Sequence, residues 1–196
     1  MNDFRLIIVK KGKKVVKIKN PTQLELIGKG AQGAVFRLSE DRCIKIYAKE
    51  KNCLRESEAL YAAQDSSIVP KVYEVGSNYI VMEYIKGQPL KDYLRSLRFI
   101  PESIAKQLLF IFKEMKRIGF TRIDNHIRHF IVTDDGVIKV VDHVNSLIKE
   151  SPWPVLFFGA LAKLKLLNSF LYQLKEMDPE LYWEWKNSWA KRKNKK

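Results

Sequence analysis

The chain has 196 residues, is 46% hydrophobic and 11% aromatic, and sets 36 Lys and Arg against 22 Asp and Glu for a net charge of +14. That length and apolar content suffice for a sizeable core in one domain or two small lobes. The two cysteines, Cys43 and Cys53, lie in apolar patterns without C-x-x-C spacing, which argues against a disulfide scaffold and predicts buried thiols in a reducing cytoplasm.

The opening MNDFRLIIVKK has too short an apolar core for a signal peptide. From about residue 4 to 47 the pattern is β: RLIIV, a KGK turn, KVVKIK, LELIGKG, GAVFRL, a short SEDR turn and CIKIY. Residues 49 to 64 have helical spacing, and YEV and NYIVMEY give two more strands around a Gly-Ser-Asn turn. From Pro89 onward helices dominate, SIAKQLLFIFKEMKRIG being the longest, with core positions Leu108, Ile111, Phe112 and Met115. The exception is a hairpin, FIVTDDGVIKVV, turned at Asp135-Gly136. In VLFFGALAKLKLLNSFLYQL, Lys163 and Lys165 interrupt the apolar run before a membrane-spanning length is reached, so a soluble, cytoplasmic protein is expected. SPWP turns the chain ahead of that run, and the aromatics of LYWEWKNSW are expected to dock a terminal helix.

Charge is concentrated at the ends, in KKGKKVVKIK and WKNSWAKRKNKK. Two readings stay open: a solvated basic surface, or affinity for a polyanion such as RNA or an anionic surface. No base-reading motif accompanies the lysines.

The stretch GKGAQGAVFRL carries the spacing G-x-G-x-x-G, which by itself matches many unrelated turns. Its surroundings carry more. Alternation in CIKIY puts Cys43, Lys45 and Tyr47 on one face, and the helix that follows stacks Cys53, Glu56, Leu60 and Ala63 on one stripe. A carboxylate in such a stripe needs a partner, and an ion pair between Lys45 and Glu56 would satisfy both charges. Glu58 is the alternative partner, rotated away from the stripe.

With these features in order, the chain from about Leu24 to Asn145 resembles the protein-kinase fold. GKGAQGAV is similar to the kinase glycine-rich loop, CIKIY to the strand bearing the phosphate-binding lysine, and LRESEAL to the helix that brings its glutamate. YIVMEYIKGQPL resembles the hinge, RIDNHIRHFIV the catalytic loop, and IKVVDHVN the metal-binding Asp-Phe-Gly segment. The resemblance implies a two-lobed α+β protein-kinase-like fold: an N-lobe at 1–82 with an antiparallel sheet plus one helix, a hinge at 83–88, and a reduced, mostly helical C-lobe at 89–196 with a basic tail at 186–196.

It also implies roles. Gly28, Gly30 and Gly33 would cover the phosphates of ATP, and Val35 the adenine. Cys43, Met82 as gatekeeper, the backbone of Glu83 and Ile85, and Ile131 would complete the nucleotide-binding set. Lys45 would neutralise phosphate while Glu56 fixes it, and Asp124 would accept the proton of the attacking hydroxyl. Asp142, with His129 at the position of the usual asparagine, would hold Mg2+ or Mn2+.

The departures from the kinase pattern carry expectations of their own. Ile123 replaces the arginine before the catalytic aspartate, so control by loop phosphorylation is not expected. His126 takes the place of the lysine that steadies the γ-phosphate, Arg128 would support the loop, and His129 is a softer donor that suits manganese. His143 and Val144 follow Asp142 where Phe and Gly are usual, and no Ala-Pro-Glu motif follows. The shortened C-lobe resembles the minimal atypical kinases, such as the RIO and Bud kinases, and small bacterial kinase-like proteins with the pattern Asp-x-His-x-Arg, here DNHIR. The reading is an ATP-dependent serine/threonine phosphotransferase with a protein substrate. A small-molecule kinase, an inactive nucleotide-binding pseudokinase and, last, a metallohydrolase using the three histidines are the alternatives.

Overall fold

A computed structural model describes residues 3–193, so the last three residues of the basic tail lie outside the described residues. The chain divides into two compact units: residues 1–86 with 142–145, and residues 87–141 with 146–196.

In the first unit, β1 (Ile8–Lys10) and β2 (Lys17–Lys19) form an antiparallel ribbon. A separate sheet contains β3 (Leu26–Lys29), β4 (Gly33–Arg37), β5 (Arg42–Tyr47), β6 (Val72–Val75) and β7 (Tyr79–Glu83) in the order β3-β4-β5-β7-β6, every pairing antiparallel. RLIIV was expected as a strand, but Phe4–Leu6 form a 3-10 turn. The Asp3 side chain accepts the N–H of Arg5 and starts that turn, so extension begins only at Ile8.

Both faces of the sheet are covered. Ile44 and Ile46 of β5 join Ala34, Phe36 and Val81 in a core closed by Val9 of the ribbon and by Ile7 and Val16, which immediately precede its two strands. The alternate face carries Cys43, Lys45 and Tyr47 and meets helix α1 (Glu50–Ala62), which buries Cys53, Glu56, Ala59 and Leu60. Glu58 is exposed. The ribbon also holds the glycine-rich turn directly, because the Val16 N–H donates to the Gly30 carbonyl at 2.9 Å.

In the second unit, β8 (Gly87–Pro89), β9 (Phe130–Thr133) and β10 (Ile138–Val140) form an antiparallel sheet in the order β10-β9-β8. The β9–β10 turn uses Gly136 at φ +81, a left-handed conformation that glycine adopts without strain. Around this sheet stand α2 (Leu90–Arg95), α3 (Glu102–Arg117), α4 (Val155–Lys163), α5 (Leu167–Met177) and α6 (Pro179–Lys193). Leu108, Ile111, Phe112 and Met115 of α3 are buried. They face an aromatic core in which Phe112 meets Phe130, Phe157 and Trp185 edge-on or tilted at 5.3 to 5.8 Å between ring centres. The terminal helix docks through buried Tyr182 and Trp185, and Asp178 starts it by accepting the Leu181 N–H just before Pro179. Among the described residues no helix is long and apolar enough to cross a membrane.

Candidate nucleotide and phosphoryl-transfer residues

Lys45 lies in the middle of β5, opposite Val35 of β4 and Ile80 of β7. Its Nζ is 2.6 Å from Oε2 of Glu56 and 3.1 Å from Oδ1 of Asp142. Glu56 gathers more than the lysine: the Tyr47 hydroxyl donates to the same Oε2 at 2.9 Å, and the backbone N–H of His143 donates to Oε1 at 3.2 Å. The Glu56 side chain is 2% exposed and that of Lys45 12%, whereas Asp142 keeps 34% of its surface open. Burial pushes Lys45 down, but the carboxylates of Asp142 and Glu56 more than offset it and raise the ammonium above its usual range. Glu56 therefore joins three pieces of chain: β5, α1 and the Asp142-His143 segment.

Asp142 has φ +69, a left-handed conformation uncommon for a residue with a side chain, though less so for aspartate. The backbone is held there from both sides, with Lys45 on its carboxylate and Glu56 on the next N–H. His143 is fully buried.

In the glycine-rich turn the three glycines differ. A Cβ on Gly33 would come within 2.5 Å of the Ile46 carbonyl oxygen, so the pairing of β4 with β5 itself requires glycine there. A Cβ on Gly30 would meet nothing within 4 Å, and one on Gly28 would only touch Val35 at 3.9 Å. Nothing in the fold demands glycine at those two positions, which leaves space for a bound group to approach the backbone. The Gly30 N–H is already used within the turn, donating to the Gly33 carbonyl at 3.0 Å.

The remaining first-unit positions cluster on β5 and β7. Cys43 faces Met82 in register, and its thiol is 3.7 Å from the Glu83 carbonyl. The Glu83 N–H donates to the Lys71 carbonyl at 2.8 Å, so that edge of Glu83 addresses β6 rather than a ligand. Ile85 is half-buried.

In the second unit, Asp124 is buried, and its Oδ1 accepts the Leu156 N–H at 2.7 Å. Pro154 offers α4 no capping side chain, so Asp124 supplies the missing acceptor to the first turn from thirty residues upstream. Burial raises its pKa, partly countered by the Leu156 N–H and by Arg122. The Arg122 Nε donates to the Asp124 carbonyl at 3.0 Å and braces the loop where kinases use the neighbouring position, here the buried Ile123. Asn125 is also buried, and its Nδ2 has no hydrogen-bond partner among the described residues. His126 is exposed, with its pKa lowered by partial burial and then by Arg128, Lys91, Lys163 and Arg122. The Arg128 Nε donates to His129 Nε2 at 3.2 Å. Ile131 is half-buried in β9, opposite Lys139 and Pro89. Among the described residues no group of three or more His, Cys, Asp or Glu is arranged to hold a metal ion.

Sequence spacing foresaw the Lys45 and Glu56 pair. It missed Tyr47, whose position on the Lys45 face was the available signal, and the direct bond from Lys45 to Asp142. Asp124 as the cap of α4 had no local signal, because its partner lies far along the chain.

Comparison with known proteins supplies relatives. A serine/threonine-protein kinase of Bacillus subtilis, so named provisionally, is 29% identical over 142 residues, covering 69% of this chain and 66% of that protein. One of Clostridium acetobutylicum, likewise named provisionally, is 35% identical over 100 residues, 45% of this chain and 14% of the relative. One of Schizosaccharomyces pombe is 25% identical over 155 residues, 68% of this chain and 12% of the relative. The chain thus spans just under two thirds of the first and a small part of the others. The ABC1 atypical kinase-like domain matches residues 46–147, a span that begins one residue after Lys45 and contains Glu56, Asp124 and Asp142. The chain belongs to the ABC1 atypical kinase-like family, with the two-lobed α+β fold of a protein kinase.

Proposed function

We propose that the chain is an ATP-dependent phosphotransferase that moves the γ-phosphate to a serine or threonine hydroxyl of a protein. The observation that carries this is the buried Lys45, held by Glu56 at 2.6 Å and by Asp142 at 3.1 Å. An ammonium fixed by one buried carboxylate and shared with a second, more exposed one is poised to exchange the second for phosphate oxygens. The open space at Gly28 and Gly30 fits phosphates approaching the turn.

Asp142 fits a divalent cation, since its carboxylate is the exposed member of the cluster and its backbone is fixed. Mg2+ or Mn2+ held there would neutralise charge on the β- and γ-phosphates. In the second unit His129 Nε2 already accepts from Arg128, so metal binding through that nitrogen would displace Arg128. Asp124, kept in place by the Leu156 N–H, would take the proton of the acceptor hydroxyl. The surroundings of His126 favour its neutral form, so it would orient phosphate as a hydrogen-bond donor rather than as a cation. Met82, Val35 and Cys43 of the first unit would line the adenine, with the Glu83 carbonyl and the Ile85 N–H as its polar contacts.

ADP release from ATP with Mg2+ or Mn2+, and transfer to the chain itself or to serine peptides, test the proposal. Asp124→Asn keeps an acceptor for the first turn of α4 and should lower turnover by at least roughly a hundredfold with little change in melting. Unchanged turnover removes Asp124 from the chemistry. The bond from Arg128 to His129 favours a second reading, a nucleotide-binding pseudokinase, which would bind an ATP analogue without releasing ADP. The exposed lysines of the ribbon, Lys10, Lys11, Lys13, Lys14, Lys17 and Lys19, would serve a polyanionic partner.

A further inference from the structure

We propose that the second unit binds its partner protein through an acidic peptide segment, held by the cationic surface that Lys91, Arg128 and Lys163 form around His126. This rests on the phosphotransferase reading only in taking that peptide as the phosphate acceptor.

The placement comes from packing. The turn Ile127–His129 packs against both α2 and α4. Lys91 stands in the first turn of α2, Lys163 ends α4, and Arg128 sits in the turn between them. All three are exposed, as is His126. Arg122 adds a fourth positive charge from the start of the same loop, and the charges that weigh most on His126 are those of Arg128, Lys91, Lys163 and Arg122. The carboxylate nearest in sequence on α2, Asp92, is engaged by Arg95 at 3.0 Å. Asp124 is turned to the first turn of α4. Long cationic side chains brought together repel one another where neighbouring carboxylates are engaged elsewhere, as Asp92 and Asp124 are, and an incoming anion relieves that repulsion.

The occupant follows from what else the surface offers. Single-stranded nucleic acid gains much of its affinity by stacking bases on aromatic rings. Neither α2, the turn nor α4 exposes one: Phe157 and Phe158 are fully buried and Tyr93 is half-buried. A surface of separated, flexible cations without ring platforms fits the spaced carboxylates of an acidic peptide instead.

The test measures binding rather than turnover, by fluorescence anisotropy of a labelled serine peptide flanked by Asp and Glu, beside a neutral counterpart. The intact chain should bind the acidic peptide at least about tenfold more tightly, with affinity falling as salt rises. Lys91→Glu with Lys163→Glu should remove that preference. Lys91→Gln with Lys163→Gln, milder if the reversal disturbs folding, should weaken it about three- to tenfold. Affinity for a fluorescent ATP analogue should stay the same in every variant. Equal affinity for both peptides, a preference that survives the substitutions, a parallel loss of ATP-analogue binding, or tighter binding of a single-stranded RNA would each overturn the proposal. If the chain releases no ADP yet keeps the charge-selective binding, the phosphotransferase reading fails and this surface stands.

Discussion

Glu56→Gln isolates the role of the buried carboxylate. The native side chain accepts from Lys45 at 2.6 Å and Tyr47 at 2.9 Å on one oxygen, and from the His143 N–H at 3.2 Å on the other. Glutamine keeps a single carbonyl oxygen. Turned toward Lys45, its NH2 confronts the His143 N–H; turned the other way, it confronts the ammonium and the hydroxyl. Either way a buried donor loses its acceptor, at about 1–3 kcal/mol. Lys45 also loses its buried countercharge, and breaking such a pair costs about 3–5 kcal/mol in all. Asp142 remains at 3.1 Å but is a third exposed, so the lower end of that range applies. For a chain of this size about 3 kcal/mol corresponds to a melting point lower by roughly 6–12 °C. Lys45, raised in the fold, contributes fully below its ordinary value of about 10.4 and loses that contribution only as pH rises beyond it, so the deficit should be constant from about pH 6 to 9. Far-UV circular dichroism is the assay. Trp153, Trp183, Trp185 and Trp189 all belong to the second unit, so tryptophan fluorescence follows that unit alone. A fall of less than about 2 °C in the dichroism transition, or one seen only in fluorescence, refutes the reasoning.

The glycines offer a paired test. Gly33→Ala drives a methyl into the Ile46 carbonyl and should cost about 1–3 kcal/mol in a thermal melt. Gly30→Ala meets nothing in the fold and should leave the melt unchanged while weakening an ATP analogue, and intact affinity would remove the turn from the phosphate site. The thiols give a pH-dependent expectation. Burial pushes Cys43 up to about 12 and Cys53 to about 11. At about pH 8 both should react with a disulfide reagent at least a hundredfold more slowly in the native chain than in urea. Because both values are raised, their stabilising effect is complete below about pH 9 and is lost as pH climbs toward the folded values, which an alkaline melting series measures.

Much of the first unit was legible because a short strand and a helix each impose one period. Lys45 had to share a face with Cys43 and Tyr47, and Glu56 had to fall in the buried stripe while Glu58 did not. The same logic failed where pairing is nonlocal. β8 contains Gly and Pro, has no strand pattern of its own, and exists because β9 offers it an edge. The alternation in CIKIY separated the two faces without saying what covers each: Ile44 and Ile46 are as buried as Cys43 and Tyr47, since the ribbon covers the face opposite α1. Asp142 read as a metal ligand from its motif, but its left-handed backbone follows from bonds to residues almost a hundred positions earlier, which no local window contains.

The hydrogen bond from Val16 to Gly30 makes the amino-terminal ribbon a clasp. To swing outward, the glycine turn must either give up that bond or pull along a segment whose Ile7, Val9 and Val16 are anchored against the sheet. Trimming the first twenty residues, a routine convenience at the bench, would therefore unfasten the turn and leave a slacker machine.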